Sequence, residues 1–411
     1  LHDALPISEG TNAWGFSTYI TIENPHARGV TARLTYMDPR AESGSGVVAR
    51  RDVSLPALSQ TTVSSMSDIG EVDFSTEVEC LEGKKIAVDR TMFWTGPGAA
   101  SPEGHSSIGT TAPSRTWYLP EGSSEWEFET WTLVQNPGDA DASITLTYMT
   151  EDQGPIPVKK KIPAHSRATF SMGQDIGKHD ASIKIESDVP VIAERSQYRN
   201  DRREGSCSIG AAEPSADCYL AEGTTAWGFT TYVLVQNPNR SEVEVDITYM
   251  TPDGPWAQPS FKMPANSRKT VRVNDLGPVA STDLSIHVHG SKPIVAERAM
   301  YWDNGTGEAC HASIGLPSPA MTFLLPDGQT SEGRETWTLV QNPNGTPVQV
   351  TLTYLRAGGG KPVVKTETIG ANSRKTFNMA EHSGIEGRAS VVVAAKPGTR
   401  PVMAERAMYW N

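Results

Sequence analysis

A solvent-facing indole can stack on the face of a sugar ring, because its large apolar surface carries a polar edge. This chain offers one three times at the same place in a repeated phrase. Trp14 and Phe16 close the segment Glu9-Gly-Thr-Asn-Ala-Trp-Gly-Phe16, and Trp227 and Phe229 close Glu222-Gly-Thr-Thr-Ala-Trp-Gly-Phe229. Trp126 and Phe128 stand at the same places in Glu121-Gly-Ser-Ser-Glu-Trp-Glu-Phe128, whereas the fourth version, Asp327 to Arg334, has lost both aromatics. Deleting a core tryptophan leaves a cavity costing about 3–5 kcal/mol. One copy's tolerance of the loss therefore points to a partly exposed side chain, which could stack on a sugar ring. The structural alternative is a plug at the open end of a domain, or packing on the next domain, with the last copy differing because its neighbour differs.

A second recurring group is an acid followed by arginine: Asp89-Arg90, Glu194-Arg195, Glu297-Arg298 and Glu405-Arg406. Neighbours in a strand point to opposite faces, so the two cannot form one paired site. Each must find its own partner, and a structural role at a sandwich edge is expected for both.

The remaining chemistry is weaker. Carboxylates cluster at Glu121, Glu125, Glu127 and Glu129, and again at Asp327, Glu332 and Glu335. They match no Ca²⁺-loop spacing and read as surface charge. His287 and His289 share a strand face without an evident third ligand, so no metal and no cofactor is expected. No Ser or Cys stands in a nucleophile–base arrangement, and no catalysis is expected. Cys207 and Cys218, eleven residues apart beside one domain junction, suggest a disulfide, and Cys80 on a strand is expected to be buried and free. Asn239, Asn304 and Asn344 begin glycosylation-like triplets, which read as chance.

These residues are positioned by an internal repeat. The phrase begins at Glu9, Glu121, Glu222 and Asp327, in steps of 112, 101 and 105 residues. A period that long is a domain rather than a solenoid turn or propeller blade of about 20–50 residues. Each unit is large enough to bury a core of its own. The boundaries are expected at 1–112, 113–213, 214–316 and 317–411. Residues 1–8 match no other copy and read as non-native, and the fourth copy stops before the Ser-Ile-Gly segment that ends the others. A propeller of half-repeats is the alternative architecture, but the two halves of a repeat do not resemble each other.

Within a repeat the strand signal dominates. Val243, Val245, Ile247 and Tyr249 alternate with Glu244, Asp246, Thr248 and Met250, the period-two pattern of a strand with one buried face. Turn residues recur between such runs, as in Thr251-Pro-Asp-Gly254. Several short strands and no convincing helix give an all-β chain of four tandem β-sandwich repeats of about 100 residues each. The junctions near 110–116, 211–217 and 316–322 are short and Pro/Ser-rich, which favours a semi-rigid rod.

The motifs Tyr219 to Phe229, Leu234-Val-Gln-Asn-Pro238, Pro264-Ala-Asn-Ser-Arg-Lys-Thr-Val271 and Ala296-Glu-Arg-Ala-Met-Tyr-Trp302 resemble the tandem immunoglobulin-like repeats of secreted and surface proteins of actinobacterial type. The resemblance covers residues 9–411. It implies an extracellular β-rich module and assigns no catalytic residues.

The net charge of −12 argues against nucleic acid and anionic membrane, which need basic surfaces. No stretch approaches the length of a membrane span. The expected function is a non-catalytic, extracellular structural and adhesive region, a stalk or spacer of a larger protein at the cell surface. Two further readings are a carbohydrate- or cell-wall-binding array using the Trp-Gly-Phe loops, and an accessory region of a secreted enzyme. The partners expected are cell-wall or environmental polysaccharide, or other surface proteins.

Overall fold

The structure, a computed structural model, describes residues 4–38, 46–97, 99, 101–151, 153–303 and 308–410; Asn304 lies outside them. It is all-β. The first repeat comprises β1 (Ala4–Ile7), β2 (Ser17–Asn24), β3 (Val30–Met37), β4 (Val47–Leu55), β5 (Ser59–Ser64), β6 (Ser75–Cys80), β7 (Ala87–Trp94) and β8 (Glu103–Ile108). The second comprises β9 (Ser114–Leu119), β10 (Phe128–Asn136), β11 (Ala142–Thr150), β12 (Gly154–Ile162), β13 (Ser166–Ser171), β14 (Ala181–Arg199) and β15 (Glu204–Ile209). The third runs through β16 (Ser215–Leu220), β17 (Phe229–Asn237), β18 (Val243–Thr251), β19 (Gly254–Ala257), β20 (Phe261–Met263), β21 (Ser267–Arg272), β22 (Ser285–Asp303) and β23 (Glu308–Ile314). The fourth has β24 (Thr322–Leu325), β25 (Arg334–Asn342), β26 (Val348–Arg356), β27 (Val363–Ile369), β28 (Ser373–Asn378), β29 (Ala389–Ala395) and β30 (Met403–Trp410).

Each repeat is a sandwich of two antiparallel layers. In the first, these are β1-β6-β3-β4 and β5-β2-β7-β8. In the second and third, the strands equivalent to β6 and β7 fuse into the 19-residue β14 and β22, which cross from one layer to the other. The alternation read from sequence fills the cores: Val243, Val245, Ile247 and Tyr249 are fully buried. Tyr36, Tyr148 and Tyr354 repeat the position of Tyr249, and all four are fully buried. Their hydroxyls reach Asp68 at 2.7 Å, Asp175 at 2.8 Å, His382 at 2.6 Å and Gln258 at 3.0 Å respectively.

The Asn-Pro phrase has a structural cause. In the first repeat the Asn24 amide donates to the carbonyls of Arg28, Leu55 and Pro56 at 2.7–3.2 Å. Asn136, Asn237 and Asn342 do the same in their own repeats. One buried amide thus satisfies carbonyls of two loops that would otherwise be stranded, locking the turn after β2 to the Pro-Ala turn before β5.

Three expectations change. Residues 1–8 match no other copy and read as non-native, yet Ala4–Ile7 forms β1 against β6, with Leu5 and Ile7 in the core. The segment supplies the alternating apolar residues that the edge position needs. One-turn helices also follow β5, β13 and β28: α1 (Met66–Ile69), α2 (Met172–Ile176) and α3 (Met379–Ser383). Ser171 and Asn378 cap the second and third, accepting from Gln174 N and Glu381 N. Finally, the repeats do not extend as a rod. The fourth returns to the first: Gln60 Nε2 donates to Asp327 Oδ1 at 3.1 Å, Thr91 Oγ1 to Asp327 Oδ2 at 2.8 Å, and Gln60 bridges Ala357. Head-to-tail contacts close into a ring when the rotation per unit divides a full turn, and four repeats complete it here.

Candidate functional site

The repeated residues divide into those that build the ring and those that the ring presents. At each seam the loop acid and the arginine of one repeat meet the strand acid of the next. Arg90 pairs with Glu9 at 2.7 Å and with Glu194 of the second repeat. Arg195 holds Glu297 of the third at 2.8 Å, and Arg298 pairs with Glu222 at 3.1 Å and with Glu405 of the fourth at 2.5 Å. Arg406 closes the cycle on Asp89 of the first at 3.0 Å. The adjacent acid and arginine therefore serve opposite seams, because they point to opposite faces of their strand. Each acid accepts from the repeat before, and each arginine donates to the repeat after. Arg90, Arg195 and Arg298 are fully buried.

Two histidines extend this belt. Arg90 Nη1 donates to His105 Nδ1 at 2.9 Å, and His105 Nε2 lies 3.2 Å from the hydroxyl of Tyr198 in the next repeat. Arg298, His311 and Tyr409 form the same chain, at 3.0 and 3.1 Å. Burial, with the neighbouring arginine, holds His105 well below the usual range and His311 down at about 3. Both rings are neutral acceptors. Glu9, His105 and Cys207 come close enough to suggest a metal triad, but the Arg90 guanidinium contacts all three and already neutralises the site.

The seam aromatics obey the same cycle. Phe16 packs edge-on against Tyr198 of the second repeat, Phe128 against Tyr301 of the third, and Phe229 against Tyr409 of the fourth. Arg334 takes the phenylalanine's place in the fourth repeat and lies 5.1 Å over the ring of Phe93 in the first. Of the two structural roles considered for the aromatic pair, interdomain packing falls to the phenylalanine.

The tryptophans do neither. Trp14, Trp126 and Trp227 are 80%, 73% and 79% exposed. They sit at the tips of tight turns closed by Phe16 N to Ala13 O, Phe128 N to Glu125 O and Phe229 N to Ala226 O at 2.8–3.0 Å. Their φ angles are 61°, 54° and 60°, a left-handed backbone suited to Gly or Asn and unfavourable for a bulky side chain. The equivalent Glu332 has φ 58°, so the turn itself does not require tryptophan. Trp126 borders a cleft of about 500 Å³ between the second and third repeats, shared with Phe128, Tyr301 and Arg268. Trp227 borders one of about 440 Å³ between the third and fourth, with Phe229, Trp302, Trp337, Asp283 and Glu335 on its walls.

The other sequence candidates resolve without a site. The Cys207–Cys218 disulfide does not form, and all four thiols are free. Cys207 faces the belt on β15 and donates to Ser106 O, whereas Cys218 lies in the core of the third repeat beside Ile294 O. Cys80 is buried and free. Asp217, which sequence reasoning missed, sits between the histidine pair and accepts from His287 at 2.8 Å and His289 at 2.9 Å. It comes from the strand paired beside them, a neighbour that spacing along one strand cannot reveal. Glu129 is held by Arg202 and Glu332 by Arg334.

The seam between the fourth and first repeats carries two strained carboxyls. Glu23 stands where the other repeats have Gln135, Gln236 and Gln341, whose amides reach methionine sulfur across their seams. It is fully buried, and its oxygens lie near the Ser390 hydroxyl without a hydrogen bond of normal geometry. Burial pushes its carboxyl well up; burial likewise raises Asp89 to about 7 against the pull of Arg406. A carboxyl raised in the folded state gives stability that is lost as pH rises from the unfolded value of about 4 through the folded one. These two carboxyls lower the unfolding temperature between pH 5 and pH 8, against the opposite contribution of the neutral His105 and His311 over the same range. Glu23→Gln should add about 1–3 kcal/mol at pH 7 and flatten that dependence; an unchanged pH profile in this variant would refute the assignment.

A family of unknown function, DUF5719, matches residues 195–299, a span of one repeat. The crystal structure of Thermotoga maritima 1070 is 23% identical over 24% of this chain and 94% of its own, with a TM-score of 0.22. The Anabaena sensory rhodopsin transducer is 24% identical over 20% and 92%, with a TM-score of 0.18. A tetra-tandem repeat from the extending region of a large adhesion protein is 11% identical over 94% and 93%, with a TM-score of 0.13. No curated protein matches.

Proposed function

We propose that this chain is a non-catalytic glycan-binding module, a closed ring that presents Trp14, Trp126 and Trp227 to polysaccharide in the extracellular space or at a cell surface. The observation that carries the reading is the three exposed indoles, each held in a left-handed turn that would be easier to form without them. Strain of this kind persists where the surroundings impose it and clusters at ligand sites. Clefts of about 500 and 440 Å³ beside Trp126 and Trp227 offer aromatic walls for stacking and carboxylates for hydroxyl hydrogen bonds. Three equivalent weak contacts on one rigid body raise retention on a repeating polymer without any single tight site.

The ring favours the adhesive half of the expected role over the spacer half, since closure sacrifices reach. In this reading the sandwiches belong with the immunoglobulin-like repeats of secreted actinobacterial proteins, supported by the two-layer antiparallel architecture of each repeat.

The test is retention of the chain on insoluble polysaccharides and bacterial cell walls, beside the triple variant Trp14→Ala, Trp126→Ala, Trp227→Ala. The variant should melt at nearly the wild-type temperature and lose at least tenfold in retention. Undiminished retention, or no retention of the wild type on any polymer, would reject the proposal.

A further inference from the structure

Three strands, β8, β15 and β23, lie side by side inside the ring, each paired with the last long strand of its own repeat. The fourth place is unfilled by any described strand. β30 pairs with β25 along one edge and with none along the other. A groove of about 270 Å³ runs along that open edge, lined by Met403 to Met408, by Phe323 to Leu325 of β24 with the following Pro326, and by parts of β8 and β23.

The three filled seats show what fits. In the first and third repeats the seated strand reads His105-Ser-Ser-Ile-Gly109 and His311-Ala-Ser-Ile-Gly315. Gly109 N donates to Val88 O at 2.9 Å, Gly210 N to Ala193 O at 3.0 Å, and Gly315 N to Ala296 O at 2.8 Å. The next residue donates to the first strand of its repeat: Thr110 N to Pro6 O, Ala211 N to Tyr118 O and Leu316 N to Tyr219 O. A Cβ would be crowded at two of the three glycines, 3.0 Å from Ala296 O at Gly315 and 3.1 Å from the Trp117 ring at Gly210, and would meet contacts of 3.5 Å or more at Gly109. The equivalent acceptors beside the groove are Ala404 O and Leu324 O.

The polar groups at the groove are incomplete in a matching way. His105 and His311 each accept from Nη1 of their own repeat's arginine. Arg406 Nη1, in the same role, is buried without a hydrogen bond and lies 3.5 Å from Asp327 Oδ2. Asp89 Oδ1, on the far side of this seam, is buried without a hydrogen bond as well.

The geometry points to a β-strand acceptor: the groove takes an extended peptide of pattern His-x-Ser-Ile-Gly, antiparallel to β30. Its Ser lies opposite Arg406, its His lies opposite Met408 and accepts from Arg406 Nη1, and its Gly N donates to Ala404 O. An open edge supplies main-chain hydrogen bonds for affinity, and the side-chain seats supply specificity. The groove adjoins the Trp227 cleft, with which it shares Gly104, His311 and Met408.

The probe is a synthetic peptide of the chain's own sequence Glu103-Gly-His-Ser-Ser-Ile-Gly-Thr110, titrated into the 411-residue chain. Because Gly315 N bonds Ala296 O, alternate residues of β22 face the inner strand. The equivalents on β30 are Ala404, Arg406 and Met408. Saturable binding is expected, with hydrogen-exchange protection of the Arg406 and Met408 amides rising at least tenfold. A peptide with valine at the glycine position should not bind, and one with alanine at the histidine position should bind several-fold more weakly. Absence of binding, equal binding by a scrambled peptide, or protection elsewhere in the chain would overturn the assignment.

Discussion

Arg90→Ala is expected to lower the unfolding free energy by about 3–5 kcal/mol, the range for removing one partner of a buried ion pair. The side chain is fully buried and joins Glu9, Glu194 and His105 across the first seam. Without it, two carboxylates that are 5% and 1% exposed face each other unpaired. The deficit should shrink as pH falls toward 4, because protonation removes the uncompensated charge. Pairing Arg90→Met with Glu194→Gln should restore part of the loss, since a well-packed neutral contact can replace a buried ion pair. The same truncation at Arg406 should cost less, because that guanidinium is 8% exposed and its partner Asp89 is already raised to about 7. Urea unfolding at pH 7 measures the order. A loss below about 1 kcal/mol at Arg90, or a larger one at Arg406, would contradict the cooperative belt.

Trp117→Ala and Trp126→Ala should separate completely, although only nine residues part them. Trp117 is 2% exposed, packs in the core of the second repeat and donates from Nε1 to Val191 O at 2.7 Å. Its removal leaves a cavity and a stranded carbonyl, together costing about 3–5 kcal/mol. Trp126, 73% exposed at φ 54°, should change stability by no more than about 0.5 kcal/mol. Under the proposed function the ranking inverts in the polysaccharide assay, where the Trp126 variant loses retention and a still-folded Trp117 variant does not. Thermal melts of the two variants decide the first half; a Trp126 variant that melts as early as the Trp117 variant would show that the exposed indole is structural.

Much of one repeat was legible because it rests on local pattern. Period-two alternation placed Val243, Val245, Ile247 and Tyr249 in a core, since the strand pleat alone dictates which side chains share a face. The opposing directions of Glu194 and Arg195 followed from the same geometry. The second exposed role of that strand, at Met250, did not. Its outward face looked solvated by alternation, but Gln341 of the next repeat covers it at 3.5 Å.

The tryptophan loops were legible as a question rather than an answer. Loss of the aromatics in the fourth copy marked the position as dispensable to a core. Only the turn's left-handed backbone and the division of labour between Trp227 and Phe229 separated an exposed indole from a seam-packing phenyl ring. The disulfide expected from Cys207 and Cys218 failed for a related reason. Eleven residues of separation do not place two thiols on facing elements, and these two occupy different strands with different neighbours, one at the belt and one in a core.

Sequence by itself determined the all-β class, the repeat and the inward face of each strand, because these depend on side-chain spacing within a single pleated segment. Tertiary structure decided that the four sandwiches close on themselves. Closure depends on the rotation between neighbours, and that rotation is set jointly by Arg90 with Glu194, Arg195 with Glu297, Arg298 with Glu405 and Arg406 with Asp89, pairs separated by about 100 residues or more. No local pattern encodes an angle between domains, so a chain that reads as a semi-rigid rod becomes a ring only when those distant charges meet.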